Sequence, residues 1–153
     1  MKNKHLLLIL LGFGLVQAEE KLKPLSEIIA GEIDEGSASY VTYRCLGLYG
    51  MVNQVTGGST QDNSQTINAI VQENIKKMLM GAYGIWQRTQ EDTSYEAFEE
   101  NVGLSVPPIA TIYQQIANDN WIKNGNYIEG NDFLISELQI CNSLIDRFPD
   151  SEE

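Results

Sequence analysis

Apolar residues along this chain recur at helical spacing. Between Ser39 and Val55 they fall at Val41, Cys45, Leu48, Val52 and Val55, which places all five on one helix face. A second stripe, Ile67, Val71, Ile75, Met78, Ala82 and Ile85, is broadened by Ile70, Leu79 and Trp86. It predicts the longest helix, from about Ser64 to about Arg88. The turn-rich stretch from Thr56 to Asn63 separates the two helices. After a break at Glu91-Asp92, Thr93-Ser94-Tyr95-Glu96 has the form of a capping box in which Thr93 and Glu96 satisfy each other's amides. It predicts a short helix through Tyr95 and Phe98 that Gly103 ends; the alternative is a second helix that simply continues through this region.

Ser105-Val106-Pro107-Pro108 suits a helix start, because first-turn amides have no partners to lose. The third main helix then carries Ile109, Ile112, Tyr113, Ile116 and Ala117, and Asn124-Gly125 ends it. Asn131 can cap the last helix, with Asp132 favoured by the helix dipole. Leu134, Leu138, Cys141, Ile145 and Phe148 form its stripe, and Pro149 stops it. No run alternates with period two for long enough to form a strand. The predicted fold is all-α: one domain, residues 37–149, built as a small bundle of four main helices. Residues 19–36 read as a loosely held acidic arm in which Leu25, Ile28 and Ile29 allow one short helical turn, and residues 150–153 as an acidic tail.

The first residues have the three parts of a secretory signal peptide. Lys2, Lys4 and His5 make a basic start, Leu6 to Val16 an apolar run, and Val16-Gln17-Ala18 a small-residue exit, so cleavage is expected after Ala18. The apolar run is too short for a membrane span, which needs about 20 residues. The expected location is therefore the periplasm or the exterior, with no stable membrane insertion after cleavage.

Formal net charge is −11. Cleavage removes two of the basic residues and none of the acids, leaving about −13. So acidic a surface repels phosphate backbones and anionic headgroups, which argues against nucleic-acid binding and favours a cationic protein or peptide partner. Cleavage also removes His5, the one histidine. Without imidazole there is no Ser-His-Asp triad, Cys-His pair, haem axial histidine or His-ligated zinc. No cofactor or metal site is expected. The stretch from Asn118 to Asp132 resembles a calcium loop only superficially. With Gly125 at the sixth position, Ile122 and Asn131 fall where ligands are needed, so it reads as a polar turn.

The two cysteines, Cys45 and Cys141, lie on the apolar stripes of the first and last main helices. Exported cysteines pair in an oxidising compartment. If these helices run antiparallel with the cysteines facing, Val41 meets Ile145, Leu48 meets Leu138 and Val52 meets Leu134; a parallel arrangement places Val41 opposite Glu137 instead. The bridge closes a loop of about 95 residues, worth roughly 4 to 5 kcal/mol in chain entropy. A structural disulfide is expected.

Gly47, Gly50, Gly81 and Gly84 inside helices each cost up to about 1 kcal/mol relative to alanine, so close packing is expected around them. The expected partners are Gly36 to Ser39 for the Gly81–Gly84 pair and Ser136 for Gly50. The alternative is room for a ligand beside Tyr43, Tyr49 and Tyr83. Tyr43, Tyr49, Tyr83 and Trp86 are the candidate binding surface, because such residues bury area while keeping a polar tip. No catalytic residue is assigned. Glu96, Glu99 and Glu100 read as a solvated face. The expected function is a non-enzymatic protein- or peptide-binding module of the inhibitor, immunity or chaperone kind. The alternatives are a small-molecule carrier with a Tyr/Trp-lined cavity between the first two helices, and a carboxylate-dependent glycan hydrolase.

Overall fold

The structure is a computed structural model that describes residues 22–31, 33–57 and 62–148, apart from the side chains of 62–64. The expected signal peptide, the acidic tail, Pro149 and half of the Thr56–Asn63 linker, residues 58–61, lie outside these residues. All regular structure among them is helical: α1 (Leu25–Ile29), α2 (Glu35–Gly57), α3 (Asp62–Thr89), α4 (Tyr95–Asn124) and α5 (Asp132–Ile145). The protein is all-α, with four main helices.

Helix α2 is central, packed most extensively against α3 and α4. Its stripe explains why: Val41, Cys45, Leu48 and Val52 are all buried, with Leu46, Tyr49 and Met51 beside them. Asp34 caps its start, accepting from the Ser37 amide at 2.7 Å. Helix α5 begins as its sequence indicates, the Asn131 side chain accepting from the Leu134 amide at 2.9 Å. Cys45 and Cys141 form the disulfide, with Cα atoms 5.4 Å apart. The helices it joins run antiparallel. Val41 shares a recess with Leu144 at the end of α5 and Phe148 just beyond it, whereas Val52 shares another with Leu138 from nearer its start.

Three sequence expectations require correction. First, α4 is one helix of 30 residues rather than two, with Pro107 and Pro108 inside it. Its cap is Ser94, which accepts from the Ala97 amide, and Thr93 does not serve. The prolines deprive the carbonyls of Gly103 and Leu104 of their helical partners. Both those residues and both prolines are exposed, so water can replace the missing bonds. The inner face of α4 meanwhile buries Phe98, Tyr113, Ile116 and Ala117, which outweighs the loss. Gly103 therefore ends nothing; Gly125, at φ 71°, ends the helix as expected.

Second, the described part of the N-terminal arm is firmly held. Leu22 and Leu25 are buried in the core, and Leu25 donates its amide to Glu137 at 2.7 Å. Third, close packing falls at Gly47 and Gly81 only. A Cβ on Gly47 would lie 2.7 Å from Ile109 and 3.0 Å from the Ala110 nitrogen of the crossing α4. On Gly81 it would lie 2.3 Å from the ring of Phe148, so that ring, and not Gly36 to Ser39, is the partner. A Cβ on Gly50 would meet nothing within 4 Å, and one on Gly84 only Arg88 at 3.8 Å.

Candidate functional site

Beside the disulfide, charge is buried where the apolar stripes predict only hydrocarbon. Arg44 precedes Cys45, Glu137 sits one turn before Cys141, and both are fully buried. Arg44 forms an ion pair with Glu137 through Nη2. Its Nε donates to Tyr113 Oη at 2.8 Å, and its Nη1 to the Lys23 carbonyl at 2.9 Å. The Tyr113 hydroxyl donates to the same Glu137 oxygen, while Oε1 takes the Leu25 amide. Burial disfavours the charged guanidinium, but Tyr113 and Glu137 outweigh it and hold the Arg44 proton more firmly than usual. Burial likewise pushes the Tyr113 phenol far above its ordinary range, against the opposing pull of Arg44. No buried side-chain donor or acceptor lacks a partner among the described residues. The cluster is sealed and satisfied, so it joins α2, α4, α5 and the N-terminal segment and offers nothing to a substrate.

The four aromatic residues singled out from the sequence do not form one surface. Tyr83 and Trp86 pack with Tyr95 and Phe98, at ring separations from 5.2 to 6.0 Å. Their polar tips donate to the carbonyls of Thr93 and Asp92, fastening the α3–α4 turn. Tyr43 is half-buried and donates to Asn101 of α4 at 2.8 Å. Tyr49 lies elsewhere, fully buried, donating to Asn142 of α5 at 2.8 Å. Burial drives its phenol well above the ordinary range, opposed by a hydrogen bond from Asn74. It therefore serves as a donor and not as an acid or base at neutral pH.

Tyr49 does border an opening. A recess of about 170 Å³ lies between α2, α3 and α5, walled by Tyr49, Val52, Ile67, Ile70, Val71 and Leu138. That volume exceeds the roughly 150 Å³ of a cavity that holds benzene, so it admits one large apolar side chain. Asn74 and Asn142 add amides to the lining, and no carboxylate lines it. Ile67 and Ile70, read from the sequence as core, are 43% and 56% exposed. They fall one turn apart on the first part of α3, where the stripe runs past the neighbours that cover Val71 and Met78. The signal was present in the stripe's breadth, but which end would remain uncovered depends on where α5 crosses. Among the described residues, no group of three or more His, Cys, Asp or Glu is placed to hold a metal ion.

No protein-family model matches this chain, and no curated protein or solved structure compared with it does either.

Proposed function

We propose that this is an exported, non-enzymatic binding module that holds a basic, amphipathic segment of a partner protein in the groove between α2, α3 and α5. The observation that carries this reading is the exposed Ile67–Ile70 ridge above an apolar recess with Tyr49 at its floor. An amphipathic helix is read by such grooves through apolar anchors spaced three or four residues apart. The recess receives one anchor, and the Asn74 and Asn142 amides give the complex polar register. A net charge of about −13 once the signal peptide is removed steers a cationic partner toward the surface and sets the sign of its flanking residues. The disulfide-clasped scaffold limits the ordering cost of binding.

The test is a titration of methyl-labelled protein with a synthetic amphipathic Leu/Lys helical peptide. Methyl signals of Ile67, Ile70, Val52 and Leu138 should move, added salt should weaken the complex, and Ile70→Asp should reduce affinity about tenfold or more. Unchanged affinity in Ile70→Asp, or shifts confined to the acidic Glu96–Glu100 face, would reject the groove in favour of unspecific charge attraction.

A further inference from the structure

The buried Arg44–Glu137 pair is closed off on one side by the chain's own N-terminal segment. The Lys23 carbonyl accepts from Arg44 Nη1 at 2.9 Å, and the Leu25 amide donates to Glu137 Oε1 at 2.7 Å. Between them Pro24, at φ −53° and ψ 137°, holds the backbone extended, so one carbonyl and one amide flank its ring. Among the described residues, these two bonds tie residues 22–31 to the main helices, and both end on buried charges. Leu22 and Leu25, three positions apart, are buried in the same core. The segment's own ion pair, Lys23 with Glu27 at 3.7 Å, is exposed and contributes little. Its hold is thus concentrated at one end. Ile29 and Ile33 border a recess of about 190 Å³ instead of closing onto Val41, Leu144 and Phe148.

A backbone carbonyl and amide taken by fixed partners, with apolar side chains seated alongside, is how extended peptides are recognised. We propose that Arg44 and Glu137 form a peptide-reading site whose resident is Leu22–Leu25 of the same chain, and that the same segment of a second copy exchanges into it, joining two copies as a dimer. A second copy is the occupant the chemistry favours, because its segment reproduces both hydrogen bonds and both leucines. Exchange of an identical element sacrifices no contact and is a low-cost route to dimers. The charges assist release: burying them carries a desolvation cost that water returns when the segment leaves, as it would not for hydrocarbon. The short connection to α2 keeps the resident at a roughly millimolar effective concentration, so exchange needs chains near that concentration or a weakened resident. Two acidic copies repel one another at long range, and salt screens that repulsion beyond about 8 to 10 Å. This site is separate from the groove proposed above and stands or falls independently of it.

Isotope-labelled and unlabelled chains, disulfide intact, mixed at about 1 mM and held just below melting in about 0.3 M salt, test the exchange. After cooling, native mass spectrometry should find dimers of mixed mass. Excess synthetic peptide of residues 22–30, present during the incubation, should suppress them. In full-length Leu25→Ser, whose resident is weakened, the same peptide at about ten times its dissociation constant should raise the melting temperature by about 4 °C or more. The peptide carrying Leu25→Ser should bind at least about tenfold more weakly than the native one. If full-length Leu25→Ser does not fold, the mixing experiment on the parent chain decides alone. Monomers throughout the mixing experiment, dimers that excess peptide leaves intact, or equal binding of the native and Leu25→Ser peptides would each overturn the proposal.

Discussion

Replacing Glu137 by glutamine tests the buried cluster directly, because the shape is kept and only the charge is lost. In the native protein, Glu137 answers the Arg44 guanidinium, the Tyr113 hydroxyl and the Leu25 amide. With glutamine in its place, Arg44 remains fully buried without a counter-charge. Breaking one side of such a pair costs about 3 to 5 kcal/mol, a large share of the roughly 5 to 15 kcal/mol that stabilises a domain. The melting temperature should fall by roughly 10 to 20 °C. The complementary variant, Arg44→Met with Glu137→Leu, removes both charges but leaves the Tyr113 hydroxyl and the Leu25 amide without their acceptor, so it too should be destabilised, by about 2 to 6 kcal/mol. Guanidinium unfolding followed by circular dichroism, with the disulfide verified intact by mass, gives both numbers. Hydrogen exchange should also show the Leu25 amide losing protection in Glu137→Gln, because α1 hangs from that carboxylate. A Glu137→Gln cost below about 1 kcal/mol, or a double variant as stable as the parent, would refute the reasoning.

Opening the Cys45–Cys141 bridge by replacing both cysteines with alanine should cost about 4 to 5 kcal/mol in the same unfolding assay. Because both cysteines are fully buried, reductant should open the bridge of the folded protein only as fast as it unfolds, measurable by quenched alkylation. Among the glycines, Gly50→Ala should stabilise by about 0.5 to 1 kcal/mol, while Gly81→Ala should destabilise by about 1 to 3 kcal/mol because Phe148 must move. Equal melting temperatures for these two variants would contradict the packing described. The carboxylates of Asp34 and Asp92 are held below their ordinary range by bonds from Ser37 and Ser94. Their stabilisation is therefore present above the unfolded-state value near 4 and lost as pH falls through the lower folded values. Replacing either by asparagine should lower stability at neutrality and flatten the stability–pH profile below pH 4, so that parent and variant converge in acid.

How much of this was legible in the amino-acid order follows from the range of the forces involved. Helical periodicity, the Asn131 cap, the Gly125 stop and the facing of Cys45 with Cys141 depend on neighbours within a turn or on one repeated stripe. Each could be read from residue spacing alone. The two prolines in α4 misled that reading because local propensity argues for a helix start there. Tertiary burial of Phe98 and Tyr113 on one continuous face overrides it.

The Arg44–Glu137–Tyr113 cluster was invisible for a different reason. Glu137 departs from the apolar stripe of α5 by a single residue, and nothing nearby in the chain reveals a guanidinium 93 positions earlier as its partner. The same holds for the two recesses. Apolar residues on a stripe are destined for contact, but which remain uncovered, as Ile67 and Ile70 do, is decided by the angle and length of the helices that cross them. Periodicity thus determined that the chain makes helices and clasps them with sulfur, whereas only packing in three dimensions decided where charge is sealed in and where the surface is left open.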